Sequence, residues 1–155
     1  MGYIEQLRAL VGHRRLNLCG ASVVVQNEKG ELLLQQRREP EGRWCFPGGL
    51  TELGEALEDT ARREVFEETA LRLGALRLIG VYSGPEQLCR AANGDEWYVV
   101  NAAYTCSEYE GRAQVNDAES QRLGWFRPED VPENLAASHR RILADYLKLT
   151  EEKSF

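Results

Sequence analysis

Residues 56–69 hold strong helix formers and no glycine or proline, and they follow directly on a segment, 38–55, crowded with glycine, proline and charge. A long loop therefore feeds a helix, and the helix is unusual. On a wheel at about 100° per residue, Glu64, Glu67 and Glu68 share an arc of about 100°, while Leu57, Ala61 and Val65 form an apolar stripe. Glu64 and Glu68 are a like-charge pair one turn apart, costing about 0.2–0.5 kcal/mol. All three glutamates lie toward the negative end of the helix dipole, so isolated helix stability does not select them. Glu68 falls between Leu57 and Ala61 on the wheel, which predicts a partly buried carboxylate.

A buried carboxylate needs a partner, a proton or a cation, and three together suit a hard divalent ion such as magnesium. The carboxylates alone leave a second reading open: an ordinary solvated acidic face, laced by the pairs Glu58 to Arg62 and Asp59 to Arg63.

Around this unit the pattern predicts a short amphipathic helix over 3–11, with Ile4, Leu7, Leu10 and Val11 as its apolar positions. The apolar run at 21–26 and Leu32 to Arg37, joined through Asn27 to Gly30, read as a buried hairpin. Further strands are expected over 75–83 and 96–106, with Asn93-Gly94 as a turn, and a last strand ends near Trp125-Phe126. A closing helix spans about 136–148. Strands on either side of a central helix predict a mixed sheet packed between helices, in a single domain over 1–155 whose first 17 residues are a helix and lead-in.

Composition narrows the function. With 43% hydrophobic and 28% charged residues and no apolar segment of about 18 residues, a membrane-spanning chain is not expected. The start lacks the features of a signal peptide, which predicts a cytoplasmic protein. Cys19, Cys45, Cys89 and Cys106 are scattered, with only His13 and His139 to assist a zinc site, so buried free thiols are expected. A net charge of −6 argues against a nucleic-acid or anionic-membrane partner, and an anionic substrate needs a metal or a local basic pocket.

Written out, the loop and helix read Gly49, five residues, Glu55, seven residues, then Arg63-Glu64-Val65-Phe66-Glu67-Glu68-Thr69-Ala70-Leu71. This closely resembles the signature of the Nudix hydrolases (the MutT-like family), here spanning 49–71. Its six matching polar and glycine positions coincide by chance about once in ten million windows at roughly 7% usage each. Trp44-Cys45-Phe46-Pro47-Gly48-Gly49 matches the family's usual approach to the loop, and the resemblance covers about residues 18–148.

The resemblance implies an α+β fold, an α/β/α sandwich around a mixed sheet, and a pyrophosphohydrolase in which water attacks a phosphorus of a nucleoside diphosphate derivative. It implies Glu64, Glu67, Glu68 and the Gly48 carbonyl as ligands of magnesium, with manganese as the substitute metal. Arg63 then orients the carboxylates through Glu55, and Glu64 is the first choice of general base with Glu119 the second. Arg37, Arg43 and Tyr82 are the candidate substrate contacts, and Trp97, Tyr98 and Tyr104 are further aromatics that could stack on a base. Pro85 weakly favours ADP-ribose or a nucleotide sugar. A nucleoside triphosphate, a dinucleoside polyphosphate and a non-catalytic nucleotide-binding module are the alternatives. The oligomeric state is left open, with a homodimer among the options. Ala70 departs from the family, which has glycine there to relieve a left-handed helix cap.

Overall fold

Ten strands and three α-helices follow one another in a computed structural model that describes residues 2–38 and 42–152. Helix α1 (Tyr3–Val11) is followed by β1 (Leu16–Val25), β2 (Leu32–Arg37), β3 (Trp44–Cys45), β4 (Gly48–Leu50) and α2 (Leu57–Thr69). Then come β5 (Arg72–Leu73), β6 (Arg77–Tyr82), β7 (Leu88–Arg90), β8 (Glu96–Cys106), β9 (Tyr109–Glu110), β10 (Ser120–Phe126) and α3 (Ala137–Glu152).

The main sheet runs β4-β1-β8-β6, with β7 also paired to β8. Its β1–β8 pair is parallel and the others are antiparallel, so the sheet is mixed as expected. A second sheet runs β10-β2-β3, and β5 pairs with β9.

The expected hairpin is only half present. The chain does turn through Asn27, whose side-chain carbonyl accepts from the Lys29 and Glu31 amides. After a single bridge, Gln26 to Leu32, β1 and β2 then diverge into different sheets. Both strands are buried on two faces, and such strands are free to part when each finds better partners elsewhere.

Alternation along the strands builds two cores. Ala21, Val23 and Val25 of β1 and Leu33 of β2 pack with Ala61 and Val65 of α2. Val24, Leu32 and Leu34 point the other way, against Ile142 and Tyr146 of α3. Full burial of Val65 alone contributes roughly 1.5–3 kcal/mol and fixes which face α2 turns outward.

Helix α1 forms where expected, but no residue in it is buried and Leu10 is 85% exposed. Polar contacts tether it instead: Arg8 donates to the Glu96 carbonyl at 2.8 Å, and the Tyr3 amide donates to Glu52 at 2.9 Å. Helix α3 extends past its expected end to Glu152. All four cysteines are free, with Cys45 and Cys106 buried and Cys89 partly so, but Cys19 is exposed, contrary to expectation. No described helix is long and apolar enough to cross a membrane.

Candidate active site

Glycine at 48 and 49 lets the loop lie against both the sheet and the helix. A Cβ on Gly48 would stand 2.1 Å from the Ala21 carbonyl oxygen of β1, and one on Gly49 would stand 2.3 Å from the Glu64 carboxyl carbon. Any side chain at either position would push the loop off α2 or β1.

Helix α2 turns Ala61 and Val65 inward, which brings Glu64 and Glu68 against this loop and leaves Glu67 half-exposed beside Arg63. Glu68 is 3% exposed, as the wheel predicted. The Gly48 amide donates to its Oε1 at 3.0 Å, and Gln35 Nε2 donates to its Oε2. Burial outweighs Arg37 and these donors, pushing the Glu68 carboxyl up to about 8. Burial also raises Glu64, against the lowering effect of Arg63.

Arg63 is the hub expected of it. Its Nε and Nη2 grip both oxygens of Glu55 at 2.8 and 2.9 Å, a bidentate fork. Nη1 donates to Glu64 at 2.8 Å and reaches Glu67 at 3.5 Å, while Nη2 also donates to the Leu50 carbonyl at 3.0 Å. The Arg63 fork, joined by the Thr60 hydroxyl and the Glu52 amide, holds Glu55 at about 2 despite the opposing effect of burial.

The end of α2 is capped by a distant segment. Amides of Gln114 and Asn116 donate to the Thr69 and Glu68 carbonyls, and the Asn116 side chain donates to that of Phe66. These bonds satisfy carbonyls a helix end leaves open. They dock the 114–119 segment beside the carboxylates, so Glu119 sits on an anchored loop. Its carboxylate is 76% exposed, lies 3.9 Å from Arg37 and contributes to the field at Glu64. Ala70 adopts φ 65°, the one positive φ among the described non-glycine residues, and its amide still closes the helix on Phe66. The left-handed cap implied by the resemblance is present, with alanine bearing the strain.

Arg37 donates from Nε to Cys45 at 3.2 Å and stands near both Glu68 and Glu119. Arg43 is exposed, and its charge and that of Arg37 both act on the Cys89 thiol, although burial dominates there and raises it. Tyr82 is a correction. Its ring is buried in the α3-side core and its hydroxyl donates to Asp145 of α3 at 2.6 Å, so it is not available on the carboxylate face. Tyr104 is likewise buried, bonded to Glu58 at 3.2 Å, and Tyr98 lies beneath Arg15. Sequence reasoning missed Gln35 and Ser120, two fully buried polar residues joined by a 2.7 Å bond from the Ser120 hydroxyl to Gln35 Oε1. The signal was a glutamine ending a buried Leu-Leu-Leu run, since such an amide must find partners.

The donors fit a hard divalent cation in kind: carboxylates and a carbonyl, one carboxylate buried without a full counter-charge. They do not form a closed cage, because among the described residues no three acidic, histidine or cysteine side chains converge tightly enough. An open arrangement of this kind suits a hard divalent cation that keeps several waters and is completed by substrate oxygens.

Known proteins resemble this chain in sequence and fold. A 124-residue alignment gives 33% identity to a MutT-like protein of Streptomyces ambofaciens, covering 80% of this chain and 73% of the relative. An ADP-ribose pyrophosphatase of Methanocaldococcus jannaschii is 28% identical over 126 residues, covering 81% and 70%. The crystal structure of a MutT NUDIX hydrolase from Burkholderia pseudomallei superposes with a TM-score of 0.71 at 28% identity, covering 83% of this chain and 97% of that one. The model of the NUDIX domain matches residues 17–146, and with the glycine loop and carboxylate helix in place this chain belongs to the Nudix family of hydrolases.

Proposed function

We propose that the protein is a magnesium-dependent pyrophosphohydrolase that cleaves the phosphoanhydride of a nucleoside diphosphate joined to a further group, with ADP-ribose or a nucleotide sugar as the substrate class. The observation that carries this reading is the face of α2, where Glu64 and Glu68 meet the Gly48-Gly49 loop, one of them buried, and Glu67 stands beside them on Arg63. The Methanocaldococcus relative's activity supports the substrate class. So does Pro85, which opens a short turn leading into β7 beside Arg37 and Arg43.

In this reading Glu64, Glu67, Glu68 and the Gly48 carbonyl hold magnesium, or manganese in its place. When bound, the cation neutralises diphosphate oxygens and lowers the pKa of a coordinated water. Arg63 keeps Glu64 in one rotamer and shields it from Glu67. Glu64, whose carboxyl burial raises, would serve as the general base that takes a proton from the attacking water. Glu119, on its docked loop, is the second candidate for that step. Arg37 and Arg43 supply positive charge to the substrate's phosphates in a chain that is otherwise acidic.

A panel of ADP-ribose, nucleotide sugars, dinucleoside polyphosphates and nucleoside triphosphates, assayed with and without magnesium, tests this. The expected result is metal-dependent release of a nucleoside monophosphate from the first two classes, lost in Glu68→Gln. Cleavage of triphosphates alone would overturn the substrate class, and nucleotide binding without cleavage would make the chain a recognition module.

A further inference from the structure

Glu68 is held by two neutral donors, and one of them is itself held. Gln35 is fully buried on β2, with Nε2 directed at Glu68 Oε2 and Oε1 accepting the Ser120 hydroxyl at 2.7 Å. The carboxylate decides the orientation of the amide: an ionised Glu68 can only accept, so the NH₂ faces it, and Oε1 is left to be held by the Ser120 hydroxyl. Gly48 N takes the other oxygen of Glu68, so two of its roughly four lone-pair positions are used and the remainder are left in fixed directions.

Ser120 is no ordinary core residue. It begins β10 immediately after Glu119, at a register shift between Ser120 and Arg122, the kind of bulge that re-aims a side chain. Its amide donates to Asp117 at 3.1 Å, and the preceding Glu119 carbonyl accepts from Arg38 at 3.0 Å. Four residues earlier, Asn116 N bonds the backbone carbonyl of Glu68 itself. The 116–120 segment therefore grips Glu68 twice, through its carbonyl and, by way of Gln35, through its carboxylate.

We propose that Gln35 and Ser120 are a positioning pair that fixes the Glu68 carboxylate for a divalent cation and couples cation binding to the docking of the loop that carries Glu119. This rests on the assignment of Glu68 to the cation site. Neither residue touches the substrate, and both act through Glu68.

The test is Mn²⁺ binding to the metal-free protein, followed by calorimetry and by backbone amide exchange, in wild type, Gln35→Met, Ser120→Ala and Ser120→Thr. Gln35→Met is expected to weaken Mn²⁺ about 10–100-fold. Ser120→Ala weakens it less, and Ser120→Thr restores it by returning the hydroxyl. In wild type Mn²⁺ slows exchange of the Gln114 and Asn116 amides, and in Gln35→Met this protection is lost. In turnover the metal requirement rises by the same factor, with kcat falling less than metal affinity. Wild-type Mn²⁺ affinity in both folded Gln35→Met and Ser120→Ala would overturn the proposal and leave the pair as core packing. If Gln35→Met does not fold, Ser120→Ala, which removes one hydroxyl, decides alone. Failure of the underlying assignment reads differently: wild type would not bind Mn²⁺, or Glu68→Gln would bind it unchanged.

Discussion

Glu64 and Glu68 lie one helical turn apart on the same face, yet they are held by opposite means. Glu64 leans on a full positive charge, the Arg63 guanidinium at 2.8 Å, which is in turn locked by Glu55. Glu68 is more deeply buried; it feels the charge of nearby Arg37, but its hydrogen bonds come from neutral dipoles, the Gly48 amide and Gln35. A charge partner stabilises the anion in place, whereas dipoles orient it and leave its charge largely uncompensated. The second arrangement is poor for the stability of the metal-free protein and well suited to a position that a cation completes.

Replacing the two residues is the sharpest way to separate them. Glu64→Gln should lower kcat about 10²–10⁴-fold, the range for losing a general base, and should also destabilise the fold by loosening Arg63. Glu68→Gln should abolish metal-dependent turnover, while near pH 8 the metal-free variant should be at least as stable as wild type. Steady-state kinetics and thermal melts of both variants check this, and a destabilised metal-free Glu68→Gln would erase the contrast.

Arg63→Lys comes next. Lysine keeps the charge but loses the fork on Glu55 and the reach to Glu64, so Mn²⁺ affinity and kcat/KM should fall about 10–100-fold, read by titration and kinetics.

The pH dependence of stability follows the same divide. The folded Glu68 carboxyl, at about 8, lies above its ordinary value of 4.5. Its contribution is full below 4.5 and is lost as pH rises through 8, so metal-free wild type should lose on the order of 3 kcal/mol relative to Glu68→Gln between pH 5 and 9. Magnesium should restore it. The loop on the other side of Gly48 behaves oppositely. His139 of α3 accepts the Phe46 amide on Nδ1 at 3.0 Å, a bond that requires an unprotonated nitrogen, and burial lowers it to about 4. Its contribution is full above 6.5 and is lost as pH falls toward 4, about 3 kcal/mol in all. Urea unfolding of His139→Asn, which keeps an acceptor but not the titration, should lack this acid limb. Glu55, at about 2, should keep its grip on Arg63 throughout both windows.

The smallest effect is at the helix end. Ala70→Gly should relieve the φ 65° strain and stabilise the fold by about 0.5–1 kcal/mol, a rise of about 1–4 °C in Tm, leaving kcat unchanged.

The helix, its carboxylate face and the buried member of that face were legible in the sequence, because each follows from spacing within a few turns, whereas the left-handed cap at Ala70 came only from the resemblance. The pairing of Arg63 with Glu55 was legible only with the resemblance in hand. What stayed hidden depends on partners far along the chain. Gln35 meets Ser120 from 85 residues away, and Tyr82 meets Asp145 from 63 away. Local pattern says that Leu32 to Gln35 is a buried strand but not which sheet it joins, which is why the hairpin was expected and two sheets formed. Helix α1 shows the limit of periodicity from the other side, since its apolar stripe exists but is only partly covered, with Leu10 left exposed.

If the reading of α2 is right, its carboxylate face binds a divalent cation. Mn²⁺ binding followed by electron paramagnetic resonance tests it directly, comparing wild type with a folded Glu64→Gln, Glu67→Gln, Glu68→Gln triple variant. Wild type is expected to bind Mn²⁺ stoichiometrically and the triple variant not at all. Equal binding by the two proteins, or no binding by wild type, would contradict that reading.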